Sequence, residues 1–435
     1  MKAVIMAGGK GTRIAGMYPE IPKSMIPLCG KPVLEYQIET LRRHGIEDII
    51  LCIGHLGKII EDYFGDGSLL CPKTNKPFGV NIRYIREDKP LGSGGALKAI
   101  SNILSEDFLL INGDIVFDIS FSRLINFHKT HNAIATILTH PNTHPYDSGV
   151  IVAKSNGLVT NWIHKEEQRK WYKNRVNAGI HVLSPVIFSL PYIKQIFEEQ
   201  DVIDLDRDIL GRLIQEEGLF AYDSPEYVKD MGTPQRLLEV TEDLKNGRIS
   251  MKNLEVAQKA VFLDRDGTIN KYVGFLRKPD EFELLPNVAE AIQRIHHCGY
   301  LVIVVTNQPV IARGEVTFEQ LEIIHNKMET LLGQAGAFVD GIYFCPHHPD
   351  KGFSGEISEL KIQCECRKPS PGMILAAAKD FHIDLSHSWM VGDNKSDIEA
   401  GMRAGCMTAL LTGDTTKIGS GEYKNLLEFS AYLGC

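Results

Sequence analysis

Twice in 435 residues a short apolar stretch runs straight into a turn too polar and too glycine-rich to continue it: KAVIMAGGKGTR at the start, and AVFLDRDGTIN from Ala260. A buried strand ending on such a turn carries polar residues to the tip of a sheet, so this chain has two tips at which chemistry can be presented. Around the first, strand-like KAVIMAGG, DIILCIG, NIRYIRE and FLLINGD alternate with helical LEYQIETLRRHG, LGKIIEDYF and GGALKAISNIL. Around the second, AVFLD, YLVIVVT, GIYFC, WMVGD and TALLT alternate with PNVAEAIQRIHHCG, TFEQLEIIHNKMETLLG, PGMILAAAKDFH and KSDIEAGMRAG. Such alternation predicts parallel strands wrapped by helices, and the length exceeds what one hydrophobic core usually organises. We therefore expect an α/β protein of two doubly wound domains, residues 1–245 and 259–435, joined by a polar linker at 246–258, with ligands beyond the carboxyl ends of the strands.

Composition narrows the function. A hydrophobic content of 43% and a net charge of −8 describe an ordinary globular chain, without the basic surface of a nucleic-acid binder. Phosphate sites must therefore be made locally, from glycine turns and placed Lys or Arg. No signal peptide or membrane-length apolar run is legible, so a cytoplasmic enzyme of small molecules is expected, with no membrane or nucleic-acid partner. Six of the nine cysteines are scattered and read as buried small hydrophobes; Cys345, Cys364 and Cys366 cluster with histidines.

At the first tip, Gly8, Gly9 and Gly11 can bring backbone N–H groups against an anion, and Arg13 and Lys23 add positive charge to the same mouth. A tight strand-to-helix turn has the same pattern, so context must decide. Together with LGSGGAL (91–97), INGD (111–114), NAGIHVLSP (177–185) and KDMGTP (229–234), the stretch resembles the sugar-1-phosphate nucleotidyltransferases over most of residues 1–240. The resemblance implies that Asp114 and Asp230 hold a catalytic Mg2+, Arg13 stabilises departing pyrophosphate and Lys23 the triphosphate. It also implies that Gly92, Gly94 and Gly95 let a nucleobase lie against the backbone and that Lys165 binds the sugar phosphate. Around Lys165 the motif departs, with His164 and Glu166 in place of the family's usual residues. An oxygen attacking an α-phosphate needs such a metal, because charge grows at both attacking and leaving oxygens.

At the second tip, DRDGT resembles motif one of the haloacid-dehalogenase (HAD) superfamily of phosphohydrolases. This implies that Asp264 attacks phosphorus and Asp266 moves a proton, an aspartyl phosphate being reactive enough for water to split. Thr306 and Asn307, ending YLVIVVTN, are then expected to hydrogen-bond the phosphoryl oxygens, and Lys368 to offset charge. Asp393 would complete an Mg2+ site with Asp264 and Asp266, supported by Asp397. CPHHP (345–349) and CECRKP (364–369) place Cys345, His347, Cys364 and Cys366 as a Cys3His set, with His348 the alternative histidine, and this composition suits a closed structural Zn2+ site.

DRDGTIN, TNQ followed by IARG, CPHHP and CECRKPSPGM together resemble the D-glycero-D-manno-heptose 1,7-bisphosphate phosphatases over residues 259 to about 415. That implies removal of the C7 phosphate, with Arg367 and Arg313 facing the phosphate that stays. Pro309, Val310 and Asn394 depart from the family, and zinc-containing histidinol phosphatases share much of the pattern. The product would be a sugar 1-phosphate, the substrate class of the first half, so the combined resemblance implies a heptose 1-phosphate guanylyltransferase that uses GTP and makes GDP-heptose. The alternatives are a hexose-1-phosphate transferase fused to a phosphatase of another substrate, such as histidinol phosphate, or a non-catalytic nucleotide-sensing first half.

Overall fold

The computed structural model describes residues 1–9, 14, 16–71, 74–413 and 420–434. Gly11 and Arg13, expected at the phosphate-binding turn, lie outside the described residues. The chain forms two compact units: Met1–His140, Ile151–Trp162 and Asn177–Asn253 make the first, and Pro141–Val150, Ile163–Val176 and Leu254–Cys435 the second. Within the stretch expected to be a linker, a short helix, Arg248–Met251, buries Ile249. Asn253 donates to the Asp118 carboxylate at 2.6 Å. One apolar side chain among polar neighbours leaves no periodic trace, which is why the sequence conceals this packing.

In the first unit, strand Lys2–Met6 pairs in parallel with Asp48–Ile53 on one side and Phe108–Asn112 on the other, and Asn81–Arg86 extends the sheet in parallel beyond Asp48–Ile53. Ala3, Ile5, Leu109 and Ile111 enter one buried cluster, and Val4, Ile50 and Leu110 another. Both faces are covered, so these strands read as continuous apolar runs rather than alternating ones. Each fully buried aliphatic side chain contributes about 1.5–3 kcal/mol. The sheet is mixed: Val176–Leu183 pairs antiparallel to Phe108–Asn112. Strands Val150–Ala153 and Val159–Ile163 precede it without an intervening helix, and the chain can then return without a helical crossover. Winding reverses between Lys2–Met6 and Phe108–Asn112, so Gly8, Gly9 and Asp114 emerge at the switch point where such sheets bind ligands.

The second unit holds a parallel six-stranded sheet. Lys259–Leu263 lies between Tyr300–Asn307 and Trp389–Gly392, with Gly341–Cys345 outside the former and Met407–Leu411, then Glu422–Tyr423, outside the latter. Alternate residues divide between two cores, Val261, Leu263, Val302 and Val304 on one face and Ala260, Phe262, Leu301 and Ile303 on the other. Helices Val288–His297, Phe318–Gln334, Gly372–Asp380 and Lys395–Ala404 form where the sequence period predicted them. The switch point falls beyond Leu263 and Gly392, delivering Asp264, Asp266 and Asp393 to one end of the sheet.

Candidate active sites

A cleft of about 420 Å³ opens at the first switch point, lined by Gly8, Gly9, Lys23, Glu87, Gly92 and Asp114 among others. Lys23 is presented by the short turn Lys23–Met25, and its ammonium bonds the Asp114 carboxylate. Asp230 ends a strand that pairs antiparallel with Ile115–Asp118, in register with Ile115. The next amide, Met231 N–H, donates to the Asp114 carbonyl at 3.1 Å. Two aspartates far apart in sequence thus become backbone neighbours, and their carboxylates are hard oxygen donors of the kind that suits Mg2+.

Sequence reasoning missed Arg236, whose Nη1 reaches both oxygens of Asp230 at 3.0 and 2.9 Å. Burial alone would raise the Asp230 carboxyl, but Arg236, the Gly232 amide and Lys23 together hold it below its ordinary value. The signal was present in GTPQR: Thr233 caps helix Pro234–Lys245, which places Arg236 in its first turn, beside the preceding strand end.

Gly92 lines the cleft at φ 81°, where a Cβ would fall 2.3 Å from the Ile203 carbonyl oxygen. The space at Gly94 and Gly95 is filled by the chain itself, by Ile203 and Leu91 respectively. At all three positions the loop's own packing requires glycine, and of the three Gly92 lines the cleft. Lys165 is exposed on the turn after Val159–Ile163 and is not among the residues lining this cleft.

The second cavity, about 480 Å³, is lined by Asp264, Asp266, Thr306, Arg367, Lys368 and Asp393 among others. Lys368 is buried, and its Nζ donates to Asp264 Oδ1 at 2.6 Å and to the Val305 carbonyl at 2.8 Å, and lies 2.7 Å from Asp397 Oδ1. Burial would lower this ammonium's pKa, but the two carboxylates outweigh burial and raise it. Burial likewise pushes the Asp264 carboxyl up, against the pull of Lys368. Carboxylate oxygens of Asp264, Asp393 and Asp397 lie within 4.8 Å of one another, a donor set that fits a hard divalent cation. Gly267 explains the fourth letter of DRDGT. At φ 89°, a Cβ there would lie 2.0 Å from Asp393 Oδ2.

Asn307 has a role that the sequence did not suggest. Its side chain accepts from Lys368 N–H at 3.0 Å and donates to the Lys368 carbonyl at 3.1 Å, clamping the loop that carries the lysine. Thr306 Oγ1 accepts from Gln308 at 2.9 Å. Arg265, between the two aspartates, is fully buried. Arg367 lines the cavity and donates to the His347 carbonyl at 3.2 Å. Arg313 is not among the lining residues; its guanidinium lies between the rings of Phe275 and Phe353, at 4.0 and 4.3 Å.

Cys345, His347, Cys364 and Cys366 converge as one cluster. Their sulfurs lie 3.1–3.5 Å apart, too far for disulfides, and His347 Nδ1 faces them at 3.3–3.7 Å. His348 turns away, its Nδ1 accepting from the Asp350 amide at 3.2 Å, so His347 is the histidine of the set.

Comparison with known proteins places both halves. The nucleotidyl transferase family model matches residues 2–247, and a HAD-hydrolase-like model matches 365–425. The chain is 43% identical over 152 residues to the D-glycero-beta-D-manno-heptose-1,7-bisphosphate 7-phosphatase of Yersinia pestis, spanning 35% of this chain and 79% of that protein. It is 31% identical over 259 residues to a mannose-1-phosphate guanyltransferase of Yarrowia lipolytica, spanning 59% of this chain and 67% of that one. A crystal structure of D,D-heptose 1,7-bisphosphate phosphatase from B. bronchiseptica, complexed with magnesium and phosphate, is 34% identical and covers 40% of this chain and 98% of that one, with a TM-score of 0.35. With a glycine-lined, carboxylate-bearing cleft in one unit and a buried Asp–Lys–Asp array in the other, the chain belongs to the nucleotidyl transferase family and carries behind that domain a HAD-type phosphatase.

Proposed function

We propose that this chain makes a nucleotide-activated heptose in two consecutive steps. In the second unit, a carboxylate oxygen of Asp264 attacks the C7 phosphorus of D-glycero-D-manno-heptose 1,7-bisphosphate. The bond from phosphorus to the sugar oxygen breaks, and Asp266 supplies that oxygen with a proton. Asp266 then takes a proton from the water that splits the aspartyl phosphate. Lys368, fixed 2.6 Å from Asp264, offsets the negative charge that collects there. Thr306 and Asn307 would hydrogen-bond the phosphoryl oxygens, and Arg367, in the cavity lining, with Arg313 outside it, is assigned to the phosphate that stays. Asp264, the Asp266 backbone and Asp393 would hold Mg2+, with Asp397 in support; when bound, that cation neutralises charge on the phosphate.

In the first unit, heptose 1-phosphate attacks the α-phosphate of GTP and pyrophosphate leaves. Asp114 and Asp230 would hold Mg2+ there, and Lys23 and Arg13 would meet the triphosphate; Lys165, assigned to the sugar phosphate, lies on the segment Ile163–Val176 and not in the cleft lining. We assign nucleotidyl transfer to 1–245 and phosphate removal to 259–435; by compactness the segments 141–150 and 163–176 group with the second unit. Cys345, His347, Cys364 and Cys366 would hold a structural Zn2+, a soft-donor set with no open position for substrate. Among the described residues no helix is long and apolar enough to cross a membrane, which agrees with a cytoplasmic enzyme.

The observation that carries this reading is the fusion of a heptose-bisphosphatase-like half to a nucleotidyl transferase half, because the product of one is the substrate class of the other. Likeness to a mannose-1-phosphate guanyltransferase supports guanine as the base. The same pairing disfavours histidinol phosphate, and the Lys23–Asp114 and Arg236–Asp230 contacts disfavour a silent sensing module. The test is incubation with Mg2+, heptose 1,7-bisphosphate and each nucleoside triphosphate, followed by mass spectrometry. GDP-heptose, phosphate and pyrophosphate are expected; phosphate without any nucleotide sugar overturns the two-step reading.

A further inference from the structure

Two buried side chains in the second unit take no part in the chemistry above, yet both point at it. Arg265, between the two aspartates, has no exposed surface. Its Nη2 donates to Asp266 Oδ1 at 2.9 Å and to Oδ2 at 2.7 Å. Asn270 donates to Oδ1 at 3.0 Å and Gln308 to Oδ2 at 2.9 Å, so both oxygens of Asp266 are held from several directions. On the far side, Arg265 Nη1 lies 3.2 Å from Nε2 of His325, which is buried on helix Phe318–Gln334.

A guanidinium can only donate, so the ring nitrogen facing it must be the unprotonated acceptor. His325 is therefore the neutral Nδ1–H tautomer, and burial followed by the Arg265 charge agrees with this by pushing its pKa down to about 3. A neutral imidazole used as an acceptor fixes the guanidinium in place, and the guanidinium in turn fixes both oxygens of Asp266. Three shells result: a helix holds the imidazole, the imidazole holds the guanidinium, and the guanidinium holds the carboxylate.

We propose that Arg265 and His325 are positioning residues of the phosphatase, and that His325, through Arg265, aims the Asp266 carboxyl at the leaving sugar oxygen. This rests on the reading of Asp266 as the proton donor given above. Without that proton the sugar would leave as a poorly stable alkoxide, whereas p-nitrophenolate needs none. Misaiming Asp266 must therefore slow departure of an alcohol far more than departure of p-nitrophenolate.

The test uses the full chain and measures first-turnover release of the leaving group, from heptose 1,7-bisphosphate and from p-nitrophenyl phosphate, so that later splitting of the aspartyl phosphate does not obscure it. His325→Leu is expected to slow alcohol release roughly ten- to a hundredfold and to leave p-nitrophenolate release within about twofold. KM should change little, and His325→Gln, which restores an acceptor, should recover most of the loss. Asp266→Asn separates the two ideas. If Asp266→Asn shows the leaving-group dependence and His325→Leu slows both substrates equally, or His325→Gln rescues nothing, the positioning role falls while the proton donor stands. If Asp266→Asn itself slows both equally, the proton-donor reading falls and takes the inference with it.

Discussion

Replacing Lys368 by Met probes the phosphatase site at its most constrained atom. Methionine keeps most of the lysine stem's volume, so little cavity forms and the effect isolates the ammonium. Three contacts disappear, to Asp264, Asp397 and the Val305 carbonyl, at 2.6, 2.7 and 2.8 Å. They leave two carboxylates in an interior where Lys368 is 4% and Asp397 1% exposed. Removing one partner of a buried pair costs about 3–5 kcal/mol, and a unit of this size loses about 2–4 °C of Tm per kcal/mol. The melting transition of the second unit should therefore fall by roughly 6–20 °C. Catalysis should fall further than folding, because the lost charge lies beside the attacking oxygen; a single such donor is worth about 10²–10³ in kcat. The assay pairs differential scanning calorimetry with phosphate release, using nucleotidyl transfer as an internal control. Phosphatase activity above about a tenth of wild type, or an equal loss in both activities, would refute the reasoning.

Four other outcomes are expected. Asp264→Asn should abolish phosphate release and spare nucleotidyl transfer, and Asp114→Ala should do the reverse; loss of both from either change would mean the sites are not independent. Gly267→Ala should eliminate Mg2+-dependent phosphatase activity, since its Cβ would lie 2.0 Å from Asp393 Oδ2, and normal activity would show that the turn can relax. His181, buried and pushed down to about 4 from an ordinary 6.5, makes folding pH-dependent. The unfolded chain binds the proton first, so its contribution is present above pH 6.5 and is lost as pH falls toward 4, by roughly 3 kcal/mol. Urea midpoints of His181→Asn should therefore fall less steeply than wild type across that window, and an unchanged slope would exclude the residue as the cause. Finally, metal analysis should find one zinc per chain, lost in Cys364→Ser together with several degrees of Tm; full zinc content in that variant would remove Cys364 from the site.

Much of the site was legible because its residues close strands. Asp114, Asp264 and Asp393 each follow an apolar run, and a parallel sheet sends such residues to the same edge whatever its side-chain details. Cys345, His347, Cys364 and Cys366 were legible by short spacing, and the structure turns the alternative, His348, away from the set. Arg236 had a local signal in GTPQR, but the hold of Asn307 on Lys368 and the reach of Gln308 and His325 toward Asp266 and Arg265 were not legible. Each of these three reaches its partner across a strand, loop or helix, and nothing in local sequence encodes such a distance. At glycines 92, 94 and 95 the chain itself, through Ile203 and Leu91, leaves no room for a Cβ, a packing constraint that their spacing alone does not reveal.

The sequence by itself determined two α/β units, their switch points and the polar residues that stand at those strand ends, because strand and helix periods and strand-end residues are local properties of the chain. Tertiary structure decided the antiparallel strand Val176–Leu183, the approach of Asp230 to Asp114, the clamp of Asn307 on Lys368 and the three-shell support of Asp266. Those depend on which distant segments share a core, and burial then makes each polar partner obligatory, since a charge without one could not remain inside.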